Sequence, residues 1–142
     1  MKAFSFNNVS LLVQGQEITG WSDGDDVIIA DRLNDTASHV IGVDGNMTMS
    51  LSNDRSGTLV FKLRQNSESN ELLSTLITTQ ENGVFIPVFV QCRNTEGGEL
   101  ISGTQGYIMK PAKVQFGQNL QPVEWTIVVE RLDIINAGSE SL

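Results

Sequence analysis

Residues 43–65 read VDGNMTMSLSNDRSGTLVFKLRQ. Met47, Met49 and Leu51 alternate with Thr48, Ser50 and Ser52. After the turn-forming run Asn53-Asp54-Arg55-Ser56-Gly57, Leu59, Phe61 and Leu63 alternate with Thr58, Lys62 and Arg64, and Val60 is the one apolar member of that second set. Successive side chains of a strand point to opposite sheet faces, so the pattern predicts two adjacent strands, each with one apolar and one mostly polar face. A sheet with one dry face needs a second layer to cover it. Met47, Met49 and Leu51 are therefore expected in the subunit core. Thr48, Ser50 and Ser52 are expected against water, a partner or a water-filled space.

The same period marks a strand at residues 9–13, a tight turn at Gly15-Gln16 into residues 17–19, and an extended piece at residues 27–31. Residues 32–38 (RLNDTAS) are polar and aperiodic and read as an exposed loop. Asp44-Gly45-Asn46 suits a tight hairpin connection. One helix is expected: Leu72, Leu73, Leu76 and Ile77 make a single apolar stripe, Ser67 or Ser69 can cap its start, and Gly83 supplies its stop. Residues 84–90 (VFIPVFV) read as a strand buried on both sides, with Pro87 favouring an edge or bulge. Residues 101–116 and 124–135 complete the sheet, with Gly103 and Gly106 marking a kink. The expectation is a mostly β fold, an antiparallel β-sandwich or partly closed barrel with one flanking α-helix. It forms a single domain over residues 1–142, with a polar, mobile tail from about residue 136.

The chain has 142 residues, 17 acids against 9 bases, and a net charge of −8. That length fits one domain able to bury a real core. The acidic balance argues against a sequence-reading DNA binder, which carries a basic patch. No apolar run approaches the roughly 20 residues of a membrane helix, and the N-terminus lacks the basic-then-apolar order of a signal peptide, so no membrane partner is expected. Cys92 stands alone, which excludes an intrachain disulfide and suits a reducing compartment.

The chemistry-bearing residues point away from catalysis and from cofactors. His39 is the single histidine, so neither a Cys/His metal cluster nor a general base with a partner can be assembled around it. Cys92 has no local nucleophile motif and reads as a buried, inert thiol. Asp23, Asp25 and Asp26 suggest calcium, but Ile28 and Asn34 stand where an EF-hand loop needs Gly and a bidentate Glu. Gly97, Gly98, Gly103 and Gly106 lack the Lys-Ser/Thr ending of a phosphate loop. Trp21 and Trp125 read as anchors in the core, because stacking platforms for single strands sit beside a basic groove. No enzyme, no metal and no cofactor is expected.

The ordered series FSFNNVSLLVQGQEITGWSDGDD (residues 4–26), VDGNM (43–47), SLSNDRSGTLVFKL (50–63), SNELLS (69–74) and EWTIVVERLDI (124–134) resembles the tail tube proteins of contractile-tailed bacteriophages. The resemblance runs from about residue 4 to residue 135. It departs at residues 65–70, where the family has Thr and Pro before its helix, and at residues 92–98, which replace a simpler Asp/Gly turn. It implies six copies closing into a ring around a continuous inner barrel. Rings would stack into a hollow tube that conducts DNA during infection, without sequence-specific binding. It further implies a tail sheath protein, a baseplate and a tail terminator as partners, a place in the virion tail, and host cytoplasm before assembly. Under that resemblance Thr48, Ser50 and Ser52 are the channel-facing candidates. Asp23, Asp25, Asp26, Arg32, Asn34, Asp35 and Thr36 are the ring-stacking candidates, with Lys110 and Lys113 of a neighbour as counter-charges. The alternative is an acidic β-sandwich binding module of carbohydrate or adhesin type.

Overall fold

The computed structural model describes residues 6–136, apart from residues 25, 85 and 96. Among these, a short 3-10 helix (Phe6–Asn8) precedes nine strands and one α-helix: β1 (Val9–Val13), β2 (Gln16–Glu17), β3 (Ile28–Arg32), β4 (Ala37–Ile41), β5 (Met47–Leu51), β6 (Gly57–Arg64), α1 (Ser69–Glu81), β7 (Val88–Asn94), β8 (Leu100–Ile108) and β9 (Pro122–Ile135). Seven strands form one antiparallel sheet in the order β2-β1-β7-β8-β9-β6-β3, and β4 and β5 form a separate two-stranded sheet. The expected neighbours β5 and β6 thus belong to different sheets. β6 lies between β3 and β9, and β5 pairs with β4.

The large sheet is dry on one face. Leu59, Phe61 and Leu63 of β6 stand opposite Ile127, Trp125 and Val123 of β9, and the first five of these are buried. Val88, Val90 and Cys92 of β7, Leu11 and Val13 of β1, and Ile108 of β8 join them in one cluster. Strands from both ends of the sheet thus share a core, and the sheet curls into a sandwich-like half-barrel without closing. Gly103 and Gly106 lie where β8 crosses Val129. A Cβ at Gly106 would come 2.7 Å from Val129 Cγ1, so only glycine admits this approach. The register slips between Val88 and Val90 beside them, the kink expected there.

The helix covers one end of this trough. Leu73 and Ile77 are buried, with Leu72 and Leu76 half-buried beside them. At its start Glu68 holds the cap position with no side-chain bond, while the Ser67 hydroxyl, one residue earlier, accepts from the Ser69 amide at 3.2 Å. Ser69 Oγ accepts from the Thr19 amide (2.9 Å) and Ser67 Oγ donates to the Thr19 carbonyl (2.5 Å), so both hydroxyls tie the helix to the β2–β3 connection. At the other end Gln80 pinches Ile108 at both its carbonyl (3.0 Å) and amide (3.1 Å). Trp125 donates its indole N–H to Asn70 Oδ1 at 2.9 Å, which satisfies the one polar atom of a buried ring.

Two further expectations change. Residues 84–90 are not one doubly buried strand: β7 starts after Pro87, alternates buried and exposed residues, and sits between β1 and β8. Proline removes a ladder donor, so the strand begins where that loss no longer matters. Val84, Ile86 and Phe89 are exposed, and residue 85 lies outside the described residues. β8 ends at Ile108 rather than residue 116; a connection at residues 109–121 leads to β9. The expected mobile tail lies, beyond residue 136, outside the described residues.

Candidate assembly surfaces

No residue from 33 to 56 is buried. In this stretch β4 and β5 leave the body as a hairpin arm, paired Ala37 to Leu51, His39 to Met49 and Ile41 to Met47. Its turn is fixed locally: Asp44 accepts from the Asn46 amide (3.1 Å) and from Asn46 Nδ2 (2.8 Å), which holds its carboxyl below the usual range. One face of the arm carries Ala37, His39, Ile41, Met47, Met49 and Leu51; the other carries Ser38, Val40, Thr48 and Ser50. Met47, Met49 and Leu51 are 63%, 61% and 70% exposed, so they are not in the core. The alternation is real, but no layer among the described residues covers it. A lone two-stranded hairpin is marginal in water, and contiguous exposed apolar side chains mark an interaction surface.

The arm is joined to the body by polar contacts. Asp54 is their hub: Oδ1 accepts from the Ser56 hydroxyl (2.6 Å) and amide (2.9 Å), and Oδ2 accepts from Asn34 Nδ2 (2.5 Å). These bonds, the Ser56 hydroxyl foremost, hold the Asp54 carboxyl below its ordinary range. The Ser52 amide donates to the Thr36 carbonyl at 2.8 Å, and the Asp54 amide to Ser52 Oγ at 3.1 Å. Arg32 anchors the whole to β9: Nε donates to the Leu132 carbonyl (2.9 Å), one Nη to Thr36 Oγ1 (3.1 Å), and the guanidinium stands 3.7 Å from Asp133.

The large sheet has two ends of different character. At one, β2 caps β1 through a two-residue turn in which Gln14 (φ 54°) and Gly15 (φ 78°) both take positive φ. At the other, β3 is open. The Lys62 amide bonds the Val27 carbonyl (2.9 Å) and the Leu33 amide the Ser56 carbonyl (3.1 Å). With the β3–β6 register, these bonds turn Ile29 and Asp31 toward β6 and leave the backbone groups of Ile28, Ala30 and Arg32 facing outward. Among the described residues nothing pairs with them. Beside this edge lies a cleft of about 640 Å³, lined by Phe6, Val9, Trp21, Val27, Ile28, Cys92 and Ile101, with Asp23, Asn94 and Glu99 among its polar members. It is the seam between the two ends of the curled sheet. Trp21 stands edge-on to Phe6 (5.6 Å) and Phe61 (6.3 Å) at its floor.

A family model described as bacteriophage PhiTE tail tube protein matches residues 1–137. The chain belongs to that tail tube family. It is a phage tail structural protein of the virion, and membership implies that it assembles with itself and with other tail components. Among solved structures, the tube-terminating cap of the anti-feeding prophage, determined by cryo-electron microscopy, shares the fold: TM-score 0.62 at 9% identity, over 96% of this chain and 93% of the cap. No curated protein matches the sequence.

In this tail tube fold the residues singled out from sequence separate into three groups. Arg32, Asn34, Thr36 and Ser52 meet at the neck of the arm, where each already has a partner. Thr48 and Ser50 lie on the polar face of the arm, both exposed, and Asp35 is exposed at the base of β4. Asp23 lines the seam and Asp26 follows it in the same connection; Asp26 binds Lys62 at 3.0 Å, and that hydrogen bond, then the lysine charge, lowers its carboxyl. Asp25 lies outside the described residues. Lys110 and Lys113 are exposed in the β8–β9 connection. Two features escaped the sequence reading: Asp54 as hub and the open edge of β3. The first had a signal, since Asp two residues before Ser is the pattern of an Asx turn. The second had none, because an edge is defined by what fails to pair.

Proposed function

We propose that this chain is the major tail tube subunit, that six copies close into a ring, and that stacked rings form the hollow conduit for DNA in a contractile tail. The observation that carries the reading is an arm with an apolar face, exposed on a chain that also has an open sheet edge. Neither satisfies itself within one subunit, and a closed ring of sheets removes both liabilities. The subunit's part is passive: a stiff wall without catalysis or cofactor. A net charge of −8 suits that wall, since phosphates are repelled from an acidic lining and do not adhere. Thr48, Ser50 and Ser52 are candidates for the wetted side. Asp23, Asp35 and the neck residues are candidates for contact between rings, where Lys110 and Lys113 of a neighbour would meet acids. The sheath would surround the tube and the baseplate and terminator close its ends, with subunits waiting in the host cytoplasm before assembly.

Negative-stain electron microscopy of the purified protein tests this. Six-fold rings and hollow tubes are the expected images. Monomers at every concentration and salt, with or without baseplate added as nucleus, would sink the reading.

A further inference from the structure

We propose that β5 of one copy adds to the open edge of β3 of a second copy, antiparallel, with Met49 opposite Ala30, Leu51 opposite Ile28 and Met47 opposite Arg32. The proposal rests on the ring reading above and names the contact that would close the ring.

Parity carries the argument. In the arm, the Gly42 amide bonds the Asn46 carbonyl (2.8 Å) and the Ser52 amide the Thr36 carbonyl (2.8 Å). With the β4–β5 register, these bonds turn Val40, Thr48, Ser38 and Ser50 inward to the ladder. The backbone groups of Met47, Met49 and Leu51 therefore face out from the free edge of β5. On β3 the outward set is Ile28, Ala30 and Arg32. Each strand has five residues, and each offers three outward residues at the same spacing.

Side chains decide the direction. Ile28 and Ala30 pack against the core cluster, and Arg32 reaches Leu132 from the same side. In an antiparallel pair, directly opposed residues share a face. Antiparallel addition thus puts Met47, Met49 and Leu51 on the dry side, with Leu51 over the seam beside Trp21, Val27 and Ile28. Parallel addition through the same edges would oppose Thr48 and Ser50 to that apolar row instead. The sizes agree as well, because the longest side chain at the centre of β5 meets the smallest on β3. Thr48 and Ser50 then fall on the other face, beside Ile29 and Asp31.

The test is a parity-controlled disulfide. Cα atoms in such a pair stand about 5.5 Å apart, within disulfide range. Tubes of an A30C/M49C variant, mildly oxidised, are expected to run as a ladder of covalent oligomers on a denaturing gel. The A30C/S50C variant, shifted by one residue, is expected to run as monomer. Tubes of A30C/M49C that give no ladder, or equal ladders from both variants, would overturn the contact while leaving the tube intact. If the cysteines prevent assembly, hydrogen exchange on wild-type tubes decides. The amides of Ile28, Ala30 and Arg32 should exchange about tenfold or more slowly than in free subunits, while those of Ile29 and Asp31, bonded to β6 in both states, change less. Unchanged exchange at all three in well-formed tubes refutes the pairing. A wild-type chain that never forms tubes refutes the ring reading and this contact together.

Discussion

Asp54 holds the arm through hydrogen bonds to its ionised form. Its carboxyl is depressed below the ordinary value of about 3.9, so the contribution is present above that value and is lost as pH falls through the folded one. Acid should loosen the neck before it unfolds the body. Amide protection at Ser56, taken as the observed exchange rate relative to the intrinsic rate at each pH from 7 down to 3, should fall ahead of protection at Phe61. Asp54→Asn should show the low Ser56 protection already at neutral pH and lose most of the pH dependence of that protection. If the variant and the wild type follow the same profile, Asp54 is not the hub. Cys92 is the opposite kind of residue: buried, with its thiol pushed up to about 11 by desolvation. It should resist an alkylating or disulfide reagent at pH 7 until the chain is unfolded in denaturant. Rapid labelling of folded protein, or covalent dimers of wild type on a non-reducing gel, would contradict this.

The hairpin arm reverses an expectation about substitution. With Met49 in a core, Asp at that position would bury an unpaired charge and cost folding. On the exposed arm, Met49→Asp should leave the melting transition of the free subunit within about 0.5 kcal/mol of wild type and abolish tubes. Ser50→Asp should leave both the fold and the tubes in place. Thermal denaturation with electron microscopy separates these outcomes, and a Met49→Asp chain that fails to fold would restore the core placement. Alternation at residues 47–63 was legible because side-chain direction is local, fixed by pleat geometry in each strand. What covers the apolar row was not, since β5 and β6 look alike in sequence. Only pairing partners distinguish them: Phe61 faces Trp125 across a ladder, whereas Met49 faces His39 and then solvent. The helix was legible in its apolar stripe and in Ser67, which accepts from the Ser69 amide at its start; the further tie of both serines to Thr19 was not, because that partner is about 50 residues away in sequence.

A molecule with a charge of −8 repels its own copies. Assembly must overcome that repulsion around each ring, and salt screens it over about 10 Å at 0.1 M. The protein concentration needed for tubes should fall as sodium chloride rises from 0.02 to about 0.3 M, measured by light scattering or sedimentation. A rise across that range would mean that ion pairs between copies outweigh repulsion. One tail tube family, one curled sheet and one helix account for the body. The arm is the part whose meaning depends on other copies.

Its neck has a mechanical consequence. Apolar cores resist deformation because interdigitated side chains have few alternative arrangements. The joint between arm and body contains no buried side chain; it consists of hydroxyls, an amide, a carboxylate and a guanidinium. Such groups tolerate modest rotation by lengthening several bonds slightly, without opening a void. If arms link neighbouring subunits, a long filament could flex by sharing a small tilt among many necks, with every sheet undisturbed. Compliance would then reside in Asn34, Asp54 and Ser56, and rigidity in the cluster around Phe61 and Trp125.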